Sequence, residues 1–201
     1  MEFYYGNEQD PVFALYREGD TCRAVFEERY GKTELPFFEG MKRIENEKTV
    51  AALSKYMQPY NEGRLKVYMA GPLFNEGDRY CNLILSNALR ESGCTTFLPQ
   101  EVVIDKDSDE LVKAACLYMD LKAIRLCDCI VANCNGLEMD SGTAAEIGLG
   151  YGLKKRMIAY KSDVRNYYNE THRLNNFVAG LLNNRICTTP AQIVSAVLDT
   201  D

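Results

Sequence analysis

The run Asp140-Ser-Gly-Thr-Ala-Ala-Glu-Ile-Gly148 follows an apolar, strand-like stretch and opens a helix almost free of charge. From Thr143 to Leu153 the only carboxylate is Glu146, set among Ala144, Ala145, Gly148 and Gly150. A solvated helix face usually carries several charges, often in opposite-sign pairs four residues apart. One acid among small residues therefore has two readings: a group aimed into a close-walled pocket, or a surface Glu on a tightly packed helix. Asp140 is equally open. It can cap the helix, as Ser141 also can, or it can act on a ligand.

Two further positions carry candidate chemistry. In Tyr68-Met-Ala-Gly-Pro-Leu-Phe74, Gly71 lets a ligand approach the backbone, and Phe74 offers a face to a flat ring. A plain strand–turn–helix is the alternative. Asp120 falls late in a helical stretch whose Leu117, Leu121 and Ile124 are expected to face the core. An acid there opposes the helix macrodipole, which points to a compensating use; a solvent-facing Asp beside Lys122 is the other reading. Several carboxylates around a flat, uncharged ligand suit cleavage of a bond to an anomeric carbon. One carboxylate attacks that carbon or stabilises its cationic character, and a second acid protonates the departing group. The same logic covers an N-glycosidic bond, where a nucleobase departs.

The elements that hold these residues alternate from Arg64 onward. Strands are expected at 66–70, 95–98, 129–133, 156–160 and 185–187, with helices at about 76–92, 109–125, from Asp140, near 176–182 and after Pro190. Such alternation implies right-handed crossovers and a parallel sheet covered on both faces, an α/β doubly wound fold. Ligands then bind beyond the carboxyl ends of the strands, where the strand order reverses. Residues 1–63 read differently. Asp10-Pro11 resembles a helix start, Gly19-Asp20 an interruption, and 38–57 a second helix, so this segment is expected to be a helical extension before a catalytic domain at 64–201.

The glycines at 142, 148, 150 and 152 do not make a dinucleotide fingerprint, because most lie inside a helix rather than in the first strand-to-helix turn. Gly148, Gly150 and Gly152 are read as close packing of helix on sheet. No P-loop is present. Net charge is −6 over 201 residues, so nothing marks a nucleic-acid or anionic-membrane footprint. There is no apolar run of transmembrane length, and the acidic, aromatic N-terminus is unlike a signal peptide; a cytoplasmic protein is expected. The eight cysteines lack a second CxxC pair or a nearby His, and the single histidine, His172, stands in a polar loop. Reduced, mostly buried cysteines are expected rather than zinc.

Residues Lys66 to about Cys187 resemble the nucleoside 2-deoxyribosyltransferases. The matching pieces are Val67-Tyr-Met-Ala-Gly-Pro-Leu-Phe74, Asp120-Leu-Lys-Ala-Ile124, Cys127-Asp-Cys-Ile-Val-Ala and Asp140–Gly148, in the family's order and with similar spacing. The resemblance implies a flavodoxin-like five-stranded parallel sheet. It makes Glu146 the nucleophile that forms a covalent deoxyribosyl-enzyme, with Tyr68 orienting its carboxylate. Asp120 and Asp140 would contact base and sugar, one of them protonating the leaving base, and Phe74 would line the base pocket. Asn175, or Asn176 one step on, would reach the neighbouring subunit's site, which implies a homo-oligomer. Substrates would be 2′-deoxynucleosides and free nucleobases, with no metal or organic cofactor.

The extension departs from compact members of the family, and Lys154-Lys155 stands where Gly-Lys or Asn-Lys is common. Two rival readings accompany the transferase: a 2′-deoxynucleoside 5′-monophosphate N-hydrolase of the same superfamily, which Ser141 would suit, and a nucleotide-binding sensor without turnover. A hydrolase of that kind typically has a phosphate-binding serine at the position of Asn175.

Overall fold

The computed structural model describes residues 1–7, 9–102, 108–165 and 174–199. His172 lies outside them. The chain divides into two compact units, Met1–Pro59 with Val103–Lys122, and Tyr60–Val102 with Ala123–Asp201.

The first unit corrects the expectation of a helical extension. It holds an antiparallel four-stranded meander of β1 (Phe3–Tyr5), β2 (Ala14–Glu18), β3 (Thr21–Ala24) and β4 (Glu34–Pro36), in that spatial order. Two helices accompany it, the one-turn α1 (Glu27–Tyr30) and α2 (Glu47–Met57). Gly19-Asp20 does not interrupt a helix. It is the two-residue loop of a hairpin in which Glu18 pairs with Thr21, and Gly19 has the positive φ of 65° that so tight a turn favours. Nor does Asp10 start a helix: its carboxylate accepts bonds from the Val12 backbone N–H (3.1 Å) and the Tyr30 hydroxyl (2.8 Å), closing a turn before β2. The expected helix at 38–57 begins only at Glu47, capped by Asn46, because residues before it pair with β1. Tyr5 N–H donates to the Lys42 carbonyl and Ile44 N–H to the Phe3 carbonyl. Inside this unit Phe26 lies between the rings of Tyr56 and Tyr118, with centroids at 5.1 and 5.2 Å.

The second unit has the expected architecture. Strands β5 (Lys66–Ala70), β6 (Thr95–Phe97), β7 (Cys129–Asn133), β8 (Arg156–Tyr160) and β9 (Ile186–Cys187) form an all-parallel sheet in the order β6-β5-β7-β8-β9. Helix α3 (Glu76–Glu91) links β5 to β6, α4 (Glu110–Leu126) leads to β7, α5 (Ser141–Gly152) joins β7 to β8, α6 (Asn176–Leu181) precedes β9, and α7 (Pro190–Leu198) closes the unit. The order reverses between β5 and β7, so the switch point opens at the carboxyl ends of those two strands.

Alternation along the strands sorts the two faces. Val67, Met69, Cys129, Val131, Ile158 and Tyr160 meet Leu85 and Leu89 of α3 and Ile193 and Val197 of α7 in one core. The residues between them, Tyr68, Ala70, Ile130, Ala132, Met157 and Ala159, are also buried, on the face that α5 covers. This two-sided burial is why the strands read as continuous apolar runs. Among the described residues no helix is long and apolar enough to cross a membrane.

Candidate active site

Helix α5 starts where Asp140 takes the N-cap, its Oδ2 accepting from the Thr143 backbone N–H at 2.9 Å and the Thr143 hydroxyl at 3.2 Å. The helix lies close on the sheet at Gly150, where a Cβ would fall 2.4 Å from Ile130 Cδ1 and 3.0 Å from Met157 Sδ. Gly148 and Gly152 do not share that role. Nothing lies within 4 Å of a Cβ at either, so the close-packing reading holds at Gly150 alone. Thr143, Ile147 and Gly150 form the buried stripe, with Glu146 half-buried at its edge.

There Glu146 meets a side chain that comes from the sheet. Tyr68 points from β5 toward α5, is fully buried, and stacks on Phe97 with centroids 5.6 Å apart and planes 12° from parallel. Its hydroxyl donates to Glu146 Oε1 at 2.5 Å. A rigid ring held from one side thus fixes a carboxylate delivered from the other, and a charge-assisted bond of this kind stabilises the ionised form.

Gly71 follows β5 at the switch point. A Cβ there would stand 2.6 Å from Asn82 Oδ1 and 3.1 Å from Asn133 Cβ, so the turn needs glycine. The neighbours form a buried amide network. Asn82 Oδ1 accepts from Asn133 Nδ2 at 2.7 Å, while Asn82 Nδ2 donates to the Pro72 carbonyl at 2.9 Å and to Gln100 Oε1 at 3.3 Å. Asn135 then ties the segment after β7 to the one after β8, its Oδ1 accepting from the backbone N–H groups of Ser162 and Asp163, both at 2.9 Å. Lys161, 1% exposed, donates to the carbonyls of Cys134 (3.1 Å) and Gly136 (2.9 Å). Sequence reasoning missed all of these. The available signal was a polar Asn133 closing an otherwise apolar strand, followed by Asn135.

Phe74 is 83% exposed in the single chain, beyond the Gly71 turn. Asn175 caps α6, accepting from the Phe177 backbone N–H at 2.9 Å, and lines a cavity of about 310 Å³ with Ala144, Lys161 and Phe177. Ala144 stands two residues from Glu146, ~200° around the helix. Neither Glu146 nor Tyr68 lines this cavity. Asp120 sits on α4 within the first unit, half-buried, and burial pushes its carboxyl up to about 6. Of its expected core neighbours, Leu117 is instead 62% exposed, and the buried row of this helix runs through Leu111, Ala115, Met119 and Ala123.

All eight cysteines are free, six buried and two half-buried. Burial pushes Cys127 up to about 11 and Cys129 and Cys134 up to about 12, which keeps them protonated and inert. Among the described residues no cluster of His, Cys, Asp and Glu could hold a metal ion.

A carboxylate steered by a tyrosine, under a capped helix beside the switch point of a doubly wound sheet, suits covalent chemistry at a sugar carbon. Residues 67–186, more than half of the chain, match the family model Nucleoside 2-deoxyribosyltransferase, and the chain belongs to that family of enzymes acting on N-glycosidic bonds. No curated protein sequence matches significantly. Among solved structures, a conserved protein from Enterococcus faecalis V583 is 25% identical, with a TM-score of 0.56 over 67% of this chain and 97% of its own. The 2-deoxyribosyltransferase of Bacillus psychrosaccharolyticus is 21% identical, with a TM-score of 0.52 over 64% and 90%. The CMP N-glycosidase BcmB of Clostridium botulinum is 22% identical, with a TM-score of 0.41 over 67% and 99%.

Proposed function

We propose that this protein transfers 2-deoxyribose between nucleobases through a deoxyribosyl-Glu146 intermediate. The observation that carries the reading is the 2.5 Å bond from the buried Tyr68 hydroxyl to Glu146. It fixes the orientation of the carboxylate that is to attack. The Glu146 oxygen bonds to the anomeric carbon as the C–N bond breaks, and the electron pair leaves with the base, which takes a proton from Asp120. A second base then attacks the same carbon, gives its N–H proton to Asp120 and releases Glu146. Two inversions give net retention.

Asp120 is the better acid of the two candidates, because burial holds its proton to a pH nearer the working range. Asp140 has one oxygen engaged in the helix cap and is left to orient the sugar. Asn175 lines a cavity that its own chain's Glu146 does not, which suits donation to a neighbouring subunit's sugar, so the active species is a homo-oligomer. Substrates are 2′-deoxynucleosides and free bases, the protein works in the cytoplasm, and no metal or organic cofactor takes part.

Incubation with a 2′-deoxynucleoside and a different free base tests this: the exchanged nucleoside is expected. Ser141, exposed in the first turn of α5, favours the monophosphate hydrolase as the second reading. Release of base and sugar phosphate from a deoxynucleoside monophosphate, without exchange, would establish that reading instead. A fully active monomer would refute the shared site.

A further inference from the structure

The opposite end of the same sheet carries a second cavity. It has a volume of about 540 Å³ and lies beside the amino ends of β8 and β9, bordered by Lys154, Lys155, Arg156 and Arg185. No carboxylate lines it among the described residues. Four cations without a counter-charge stand out in a chain of net charge −6.

Helix carboxyl ends converge at this end of a doubly wound sheet, and cations are expected there as counter-charge. Two of the four serve that purpose. Lys155 Nζ donates to the carbonyls of Arg125 (2.6 Å) and Cys127 (2.8 Å) at the end of α4, and Arg156 donates to those of Ala196 and Val197 in α7. The other two do not: the side chains of Lys154 and Arg185 are exposed and make no hydrogen bond or ion pair among the described residues. Arg156 keeps one buried N–H, at Nε, that also has none.

The backbone supports a use for Lys154. Its φ is 56°, a left-handed conformation that glycine and asparagine accept far more readily than lysine. At the end of α6, Asn183 and Asn184 fill the equivalent need at φ 50° and 54°. Holding a long cation at such a point, on the rim of a cavity, is the kind of local strain that gathers at binding sites. Met157, Leu181 and Leu182 form an apolar part of the remaining wall, which Asn183 also lines, with the Tyr151 ring 56% exposed beside it.

We propose that this cavity binds a nucleoside polyphosphate, its phosphates between Lys154 and Arg185 and its base against Tyr151. Two unpartnered cations and an unmatched guanidinium N–H suit an anion of several charges. The volume suits a ligand of nucleotide size, and a half-exposed ring suits a base. The site is distinct from Glu146, which does not line it; its first residue on α5, Tyr151, lies five residues, ~7.5 Å, further along that helix.

Calorimetric titration of the intact protein with dATP and with inorganic tripolyphosphate tests the site. One saturable dATP site per chain is expected, weakening as salt rises and tighter than tripolyphosphate. The Lys154→Ala/Arg185→Ala double variant should bind dATP at least tenfold more weakly at unchanged basal turnover. The Glu146→Gln variant should bind it like wild type, as should an Arg23→Ala/Lys113→Ala control that removes the same charge elsewhere. No saturable binding, equal binding by the double variant, or an equal loss in the control would overturn the site. Loss in Glu146→Gln would assign the nucleotide to the active site instead, and equal affinity for tripolyphosphate would overturn the role given to Tyr151.

Discussion

The two units of this chain hold their sheets together by different means. In the parallel sheet every residue of β7 is buried, as are the last four of β5 and β8, so each strand is clamped by helices on both faces. In the antiparallel meander β2 ends in two exposed residues and β4 is exposed at both ends. There the open face is laced by side chains: Arg17 lies 3.7 Å over the Phe37 ring, Arg23 sits between Glu18 and Glu34, and Arg43 meets Glu2. Exposed pairs of this kind add little each. The comparison shows why the Tyr68–Glu146 bond belongs to the parallel unit. Aiming one oxygen requires a backbone clamped from both sides, and a half-solvated ribbon does not supply that.

Substitutions can break or sharpen this contrast, beginning with the largest effect. Glu146→Ala should lower deoxyribosyl exchange by at least ~10³-fold, with a melting profile close to wild type. Turnover near the wild-type rate would remove the reason for singling out the clamped sheet. In the meander's unit the strongest test is packing: Phe26→Ala should cost ~3–5 kcal/mol in denaturant unfolding, because it empties the space between Tyr56 and Tyr118. A cost below 1 kcal/mol would show that this unit does not depend on its aromatic centre.

Asp120 provides a pH test. Its folded carboxyl titrates at about 6, above the unfolded value, so the folded state holds the proton more tightly. The stability contribution of this group is present below the unfolded value and is lost as pH rises through about 6. Asp120→Asn should therefore stabilise the protein by ~1–3 kcal/mol at pH 8 and change little at pH 4. A benefit confined to the acid side would reverse the assignment. The smallest effects compare two glycines of one helix. Gly150→Ala should destabilise by ~1–2 kcal/mol as its methyl meets Ile130 and Met157. Gly148→Ala, with open space around it, should stabilise by up to ~1 kcal/mol. Equal shifts in thermal unfolding would mean that α5 does not seat on the sheet at Gly150.

The same contrast explains what could be read from residues alone. Apolar runs such as Cys129–Asn133, separated by helical periods, marked every element from β5 onward to within a residue or two, because two-sided burial leaves an uninterrupted signature. Strands of three to five residues with one solvated face leave almost none. Phe3–Tyr5 and Thr21–Ala24 offered only aromatic or β-branched content and a Gly-Asp turn, easily mistaken for broken helical periodicity. Of the candidate residues, Glu146 stood out as the one acid in a nearly uncharged helix, whereas the role of Tyr68 came only with the family resemblance. The bracing amides of Asn82, Asn133 and Asn135 did not stand out, because their partners are backbone groups or residues far off in sequence, invisible before the chain folds.

Helix α4 begins in one unit and ends in the other. Thr49 donates to Asp109 at 2.5 Å just ahead of it, and Tyr118 packs on Phe26. The residues before Tyr60 are therefore a graft and not a detachable tag. A clone trimmed to the family-matching segment would keep Glu146 and Tyr68 yet strip the start of α4 of both partners. Anyone seeking a minimal enzyme from this chain should shorten it elsewhere.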